Sequence, residues 1–531
     1  MRTKNYLIVI LLAIGFTAYG QKNFVLNPSD FKAYIDKFNE QDNELYKQYI
    51  SNDSAWHFLE NNIPFLDCPD KNIELTYYFR WWTYRKHIKS TPDGYIITEF
   101  LPKVAWAGKY NSINCAASFH FYEGRWLKNN KFLNDYGNFW LKKGGNPRSY
   151  SFWIADAFWA YYTVKTDTSF VTGLLPDLVD NYRQWEIGRM FQNKFIGKNP
   201  DGLFSTVDDR DAMEVSIGGN GKRPTINSYM FGDAQAISKI AHLAGNKQLE
   251  LLYVAKADTI RRLVLKNLWD KKANFFKTLP YNQKKLVDIR EILGYTPWYF
   301  NLPLPNAGYE KAWEFIKSDN YFYAPYGLTT AERNHPKFEI SYEGHECKWN
   351  GPSWPYSTSV TLTAMANVLN SYAQKSINTD DYYKQIQNFA NAHRRVDEKG
   401  NILPWIDEDQ NPFTGDWISR TMLKQLGWQQ KKGGEERGKD YNHSTFCDLI
   451  ISGLIGVRPQ ADETVIINPL VPAGVWDWYC LDNVYYHGKV LTIVYDKYGN
   501  KYNKGTGLMC FVDGKLKGQA NSLQKVTISL K

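Results

Sequence analysis

Carboxyl groups gather in two short stretches of this chain, and each stretch has the make-up of a proton-transfer site. The first runs Val207-Asp208-Asp209-Arg210-Asp211-Ala212-Met213-Glu214 and continues through Gly218-Gly219 to Arg223-Pro224-Thr225-Ile226-Asn227. A carboxyl among like charges, or in a dry pocket, has its pKa raised and can serve as a general acid. Asp211 and Glu214 are three apart, so in a helical turn they share a face, and either suits that role. A salt-bridge cluster or an acidic helix start is the competing reading. The second stretch is Pro404-Trp405-Ile406-Asp407-Glu408-Asp409-Gln410-Asn411-Pro412-Phe413-Thr414-Gly415-Asp416-Trp417. Its Asp-x-Asp-x-Asn beginning imitates a calcium loop, but Pro412 stands where that loop requires glycine and no Glu occupies its twelfth position. Three consecutive acids between two tryptophans read instead as a catalytic base in an aromatic cleft.

A third polar cluster, Glu343-Gly344-His345-Glu346-Cys347-Lys348-Trp349-Asn350-Gly351-Pro352-Ser353-Trp354-Pro355-Tyr356, joins Trp, Asn and Gly/Pro breaks just before a helical pattern. His345 and Cys347 lack a second His/Cys pair, so no metal site is expected, and no cofactor is implied. Aromatic residues make up 16% of the chain. Aromatic faces beside polar edges suit sugar rings, whose C–H faces stack while their hydroxyls hydrogen-bond, although an aromatic core explains most single residues. The candidate binding residues are Trp106, Arg223, Asn227, Trp349, Asn350, Trp354, Trp405 and His443.

The elements that must position these groups are mostly helical. Apolar residues recur at helical spacing in stretches near 74–88, 112–127, 149–164, 176–193, 227–244, 246–267, 307–317, 354–371, 380–394, 417–427 and 443–455. Ser29-Asp30 is a candidate cap for an earlier helix bearing Phe31, Tyr34, Ile35 and Phe38. Several stretches are apolar on more than one face, as in a multilayer fold. The long Gly/Pro/Trp-rich connections 196–226, 336–356 and 400–416 carry the polar clusters, and loops of that length in a compact domain are usually functional. The pattern predicts an α/α toroid over 21–458. After Pro459 short β-type runs separated by Gly, Asn and Asp turns predict a small antiparallel β-sandwich-like domain over 459–531.

Residues 1–20 have the layout of an export signal: Arg2 and Lys4, the apolar run Leu7 to Phe16, then small residues to Gly20. That run is shorter than the roughly 20 residues of a membrane span. No Cys follows the expected cleavage point, so the mature protein is expected to be periplasmic or secreted, without a membrane span and monomeric. Loss of Arg2 and Lys4 lowers the formal charge from +9 to +7, and no dense Lys/Arg run marks a nucleic-acid groove. The six cysteines lie far apart and are expected to be mostly buried thiols.

Taken together, the clusters resemble the α/α-toroid glycosidases that include glycoside hydrolase family 63 and the mannosylglycerate-hydrolase-like enzymes, over roughly residues 70–455. The group's acid lies in a Ser-Gly-(Met/Leu)-Asp motif, which Asp211-Ala212-Met213-Glu214 resembles, placing the acid at Glu214. Its base is a Glu in Glu-x-x-x-Pro-x-Thr-Gly, a pattern that Glu408 to Gly415 matches at every fixed position. Trp349 to Pro355 is similar to the group's Trp-x-Gly-Pro-x-Trp-Pro pocket segment. Glu replaces the family's Asp and Ala212 its Gly, which keeps Asp211 in contention. Where the group has Phe-Gly-Trp-Ser, this chain reads Tyr441-Asn442-His443-Ser444. The resemblance implies an inverting, exo-acting glycosidase for α-linked sugars, with an α-L-rhamnosidase as the nearest alternative. A polysaccharide lyase using Tyr441 or His443, or a glycan-binding protein without turnover, are the readings from other classes.

Overall fold

The computed structural model describes residues 25–531; the expected export signal at 1–20 lies outside the described residues. Helix Lys71–His87 shows how the interior is built. Asp70 caps it by accepting from the backbone N–H groups of Asn72 and Ile73 at 3.2 and 3.1 Å, which satisfies donors that a helix start leaves open. Arg85, Lys86 and His87 close its last turn, where positive charge suits the helix dipole. Aromatics Tyr77, Tyr78, Trp81 and Trp82 are buried, and so are Arg80, Arg85 and Lys86. Each buried cation finds oxygen: Arg80 donates to the Ser444 carbonyl at 2.8 Å and Lys86 to Asp42 at 2.9 Å. This is an interior helix, as its many-sided apolar pattern predicts.

Packing proceeds from helix to helix and returns to its start. The Tyr84 hydroxyl donates to the His120 carbonyl at 2.7 Å, joining Lys71–His87 to Ala117–Gly124. Contacts then pass to Ile154–Lys165, Pro224–Leu243, Thr296–Tyr299, Pro355–Ser371 and Thr379–Ala392, and from there back to Lys71–His87. Leu175–Ile187 and Lys247–Asn267 pack against Pro224–Leu243, and the second of these buries only one face, through Tyr253, Ala257, Ile260 and Val264.

One member of the circuit, Ala117–Gly124, is locked to the chain that follows it. Glu123 accepts from the backbone N–H groups of Phe446, Cys447 and Asp448 at 3.2, 2.9 and 2.8 Å, capping the start of the segment that becomes Leu449–Leu454. Asp448 in turn accepts from Arg125, Trp126 and Ser452 at 2.8, 2.7 and 2.9 Å.

Several expected elements differ in detail. Residues 443–455 yield a π-helix only at Leu449–Leu454, in which the Ile455 N–H reaches the Ile450 carbonyl at 2.8 Å. Tyr309–Lys317 is a 3-10 helix. Asn27, not Ser29-Asp30, caps the first turn, accepting from the Ser29 N–H at 3.4 Å. Helices Asn52–Asn62 and Lys131–Lys142 form without having been expected.

The β-type runs after 459 do form strands. A five-stranded antiparallel sheet has the order Phe65–Asp67, Trp478–Tyr486, Lys489–Asp496, Gly507–Val512, Lys515–Ala520. Its first strand comes from the helical region and pairs Leu66 with Leu481. A three-stranded sheet joins Val457–Pro459, Thr464–Ile467 and Val526–Ser529. Five of the cysteines are buried free thiols and Cys347 is half-buried.

Replacing Asp448 with Asn should lower the thermal midpoint sharply. It leaves the buried Arg125 guanidinium without its counter-charge, a loss of roughly 3–5 kcal/mol for a broken buried pair. A midpoint within a degree of wild type in a melting experiment would show that this lock carries little of the stability.

Candidate active site

Three loops that are far apart in sequence are stitched together by their own backbones. The Trp349 N–H donates to the Glu214 carbonyl at 3.0 Å. Four residues on, Ser353 and Gln410 exchange N–H···O bonds at 2.9 and 2.8 Å. The Trp-rich segment therefore lies between the Glu214 loop and the Glu408 loop and is hydrogen-bonded to both. Gly351 makes the central passage possible: a Cβ there would meet the Glu339 carbonyl oxygen at 2.2 Å.

Glu214 does not sit on a helix. A 3-10 turn at Asp209–Asp211 stops at Ala212, whose φ is +55°, and Val215 follows Glu214 with φ +63°. Left-handed backbone is costly for a β-branched residue, and strain of this kind concentrates at functional sites. Because the turn breaks, Asp211 and Glu214 separate. Asp211 is fully buried, accepting from Arg223 Nε at 2.8 Å and from the hydroxyls of Ser151 and Thr225. Glu214 instead lines a cavity of about 210 Å³.

That cavity is also lined by Glu99, Trp106, Cys115, Tyr150, Cys347, Trp354, Glu408, Arg437, Tyr441 and His443. Burial, with smaller contributions from the charges of Asp209, Asp208 and Glu408, pushes the Glu214 carboxyl up to about 8. Glu408 meets a different environment. Arg437 donates to its Oε1 from Nε at 2.7 Å, with Nη2 at 2.6 Å, and the Cys347 thiol donates to Oε2 at 3.3 Å. The same guanidinium reaches Glu346 at 3.1 Å. Burial alone would raise Glu346, but Lys432 and Arg437 hold it at about 2. The acids on either side of Glu408 are pushed up by burial, Asp407 to about 7 and Asp409 to about 8, with the Glu408 charge adding to both. One carboxyl held by a guanidinium thus faces the same cavity as one that favours its proton, the division of labour that acid–base chemistry requires.

The remaining candidates are placed as follows. Trp106, 40% exposed, stands at the cavity rim with Arg437 5.3 Å from its ring centre. Trp354 lines the cavity and stacks on Trp349, ring centres 4.9 Å apart, so Trp349 lies behind it. His443 lines the cavity. Arg223 and Asn227 are fully buried supports: Arg223 holds Asp211, and Asn227 bonds both the N–H and the carbonyl of Phe204 at 2.9 Å. Asn350 lines a separate open cleft with Val215, Ile217 and Phe338. Trp405 is buried beneath Arg395, whose guanidinium lies 4.1 Å from its ring centre, and donates to Asp407 at 3.2 Å.

The structure adds Glu99, Arg437 and Cys115 as cavity residues that were not among the candidates, and it places Tyr441, named above only for the lyase reading, on the same wall. Glu99 and Arg437 are single charged residues outside any motif, so only their burial reveals them. Glu99, Cys115 and His443 place possible ligand atoms within 4.8 Å of one another. The Tyr441 hydroxyl, however, is hydrogen-bonded to both Glu99 and His443, and burial pushes the Cys115 thiol well up and Glu99 up to about 8. Protonated acids already satisfied by a phenol make a hydrogen-bond network rather than a metal cradle.

The model of the mannosylglycerate hydrolase MGH1-like glycoside hydrolase domain matches residues 109–444. This chain belongs to that family. A solved structure named Sialidase is 42% identical, with TM-score 0.87, over 95% of this chain and 45% of its own. The chain thus spans less than half the length of that relative. A family 78 rhamnosidase from Bacillus sp. GL1 shares the fold at 10% identity and TM-score 0.52, over 82% of this chain and 40% of its own. An uncharacterized protein of Borreliella burgdorferi is 25% identical over 191 residues, 35% of this chain and 38% of that protein. Among the described residues no helix is long and apolar enough to cross a membrane.

The raised Glu214 carboxyl has a consequence for stability. Its ordinary value is 4.5 and its folded value about 8, so between those pH values the folded chain holds a proton that the unfolded chain has released. Its contribution to stability is full below 4.5 and is lost as pH rises through about 8. Glu214→Gln removes that titration, so its melting temperature should gain on wild type from pH 5 to about pH 8 and level off above that. A constant difference across that range would mean Glu214 titrates normally.

Proposed function

We propose that this chain is an inverting, exo-acting glycoside hydrolase in which Glu214 protonates the leaving oxygen and Glu408 activates water. The observation that supports this most is the pairing of unlike carboxyls at one small cavity. Glu214 has no cation hydrogen-bonded to it among the described residues, whereas Glu408 is held by Arg437. A single cavity of about 210 Å³ suits one terminal sugar better than the length of a polymer. Trp106 and Trp354 offer faces for that ring, and the closed circuit of helices suits an (α/α)6 toroid with the site at the mouth of its loops. The strands after 457 serve as a packed β domain closing one side. Arg2, Lys4 and the apolar run after them fit export before the reaction.

The sugar is a neutral one on this reading. A sialic acid carries its own carboxylate and needs a free cation to receive it. Both arginines at the cavity are already engaged, Arg210 with Asp209 and Arg437 with Glu408 and Glu346. The activity in the name of the longer relative is therefore not carried over.

In the proposed reaction the protonated Glu214 carboxyl gives its proton to the glycosidic oxygen as the bond to the anomeric carbon breaks. Water enters from the opposite face and passes a proton to Glu408, so configuration inverts. Glu408→Gln should cost about 10²–10⁴-fold in turnover or more, since the amide cannot take that proton. Glu214→Gln should lose comparable activity on natural glycosides but far less on activated aryl glycosides, whose leaving groups need little protonation. A release screen over neutral α- and β-linked glycosides supplies the substrate, and proton NMR of the first product gives the stereochemistry. A Glu408→Gln enzyme with more than a tenth of wild-type turnover, or a first product of retained configuration, would overturn the mechanism.

A further inference from the structure

Beyond the acid–base pair, the cavity wall carries a buried acid, Glu99, with no part in that chemistry. Glu99 is 3% exposed. The Tyr441 hydroxyl is hydrogen-bonded to its Oε1 at 2.7 Å, and the Cys115 thiol lies 3.6 Å from its Oε2. The same Tyr441 hydroxyl also meets Nδ1 of His443. His443 is 3% exposed, lies on the cavity wall, and its Nε2 has no hydrogen-bond partner among the described residues. Its ring is fixed between Tyr356 and Tyr441, with ring centres 4.7 and 4.9 Å away. An unpartnered buried ring nitrogen on the wall of the cavity that Glu214 and Glu408 share is a place for a ligand group.

We propose that Glu99, Tyr441 and His443 form a proton-ordering chain that decides which kind of hydrogen bond His443 Nε2 offers to a hydroxyl of the bound sugar. The ligand rests on the glycosidase reading of this cavity; the proton order rests on the hydrogen-bond chain alone. A phenol has one proton, and a neutral imidazole has one N–H and one bare nitrogen. With Glu99 protonated, its O–H donates to the Tyr441 oxygen, Tyr441 donates to His443 Nδ1, and Nε2 carries the hydrogen into the cavity. With Glu99 ionised, every bond reverses: Tyr441 donates to Glu99, Nδ1–H donates to Tyr441, and Nε2 becomes an acceptor. Glu99 and Tyr441 are positioning residues here, and His443 is the group that touches the sugar.

The surroundings favour the first order at neutral pH. Burial, opposed by the Tyr441 hydroxyl and aided by the Glu408 charge, pushes Glu99 up to about 8, against the pull of Cys115 and Arg437. Burial, with a smaller push from His120, keeps the His443 ring neutral by holding it well below its usual range. Tautomer, not charge, is thus the variable. At neutral pH the cavity presents an N–H to a sugar oxygen, a contact that selects among epimers by where a hydroxyl lies.

The test reads the tautomer directly, by nitrogen NMR of protein labelled with ¹⁵N-histidine, using His443→Gln to assign the signal. Wild type should carry its hydrogen on Nε2 at pH 6 and move it to Nδ1 with a midpoint about 8. In Glu99→Gln the amide N–H replaces the acid O–H, and the hydrogen should stay on Nε2 from pH 6 to 10. Tyr441→Phe cuts the chain without touching either end, so its His443 tautomer should ignore pH; this variant carries the test if Glu99→Gln fails to fold. A wild-type tautomer that never changes, or a switch that survives in either variant, would overturn the proposal. The released monosaccharide should then perturb the Nε2 signal of wild type at pH 6 more than at pH 10, and equal perturbation would reject the sugar contact. The tautomer is read without turnover, so a failed glycosidase assay leaves the proton-order result standing.

Discussion

The buried guanidinium of Arg437 is the constraint around which the cavity is arranged. Taking a guanidinium out of water is costly, and the cost is offset only when oxygens surround it closely. Glu408 and Glu346 supply them, and Lys432 backs Glu346 from the far side. The loop bearing Arg437 must therefore come against the loop bearing Glu408. Glycine permits that approach: a Cβ on Gly438 would meet Asp407 Oδ1 at 1.8 Å. Gly433, at φ +102°, leaves room for the Arg437 side chain itself, whose Cγ would lie 2.7 Å from an added Cβ.

With both lining guanidiniums committed, Arg210 to Asp209 and Arg437 to Glu408, the cavity and the loop behind Glu408 divide their acids by environment rather than by residue type. Glu408 has a cation and a thiol donor; Glu214, Glu99, Asp407 and Asp409 have burial and the Glu408 charge, and all four are pushed upward. Each raised acid makes the fold less stable as pH rises, so the site carries a stability cost in the state that chemistry needs. The price appears again in the backbone, where Ala212 and Val215 flank Glu214 in left-handed conformations. At Ala212 the related glycosidases are expected to have glycine, which adopts that conformation freely.

The Trp349–Trp354 segment connects this chemistry to the scaffold. Its backbone bonds tie the Glu214 loop to the Glu408 loop, and its end passes directly into helix Pro355–Ser371, one member of the closed circuit. The Glu123 and Asp448 locks tie helix Ala117–Gly124 of that circuit to the turn that opens Leu449–Leu454. The two carboxyl loops are therefore joined through hydrogen-bonded backbone, not across open solvent.

Much of this was legible in the amino-acid order because local rules governed it. Helical periodicity located most of the interior helices to within a turn or two, since their apolar faces repeat whatever lies across from them, but it missed the short buried helix Thr296–Tyr299. Turn-separated β runs located Thr464–Ile467 and Lys489–Asp496, and short motifs pointed to the loops bearing Glu214, Trp354 and Glu408. What the sequence could not decide were contacts made by residues with no local signature. Glu99 and Tyr441 meet across 342 positions, Arg437 finds Glu408 across 29, and the strand Phe65–Asp67 joins a sheet formed by the far end of the chain. The same limit separated Asp211 from Glu214: three positions apart, they belong to one helical face only if the turn continues. The left-handed step at Ala212 is held by long-range packing, so only tertiary structure put one carboxyl into the core and the other into the cavity.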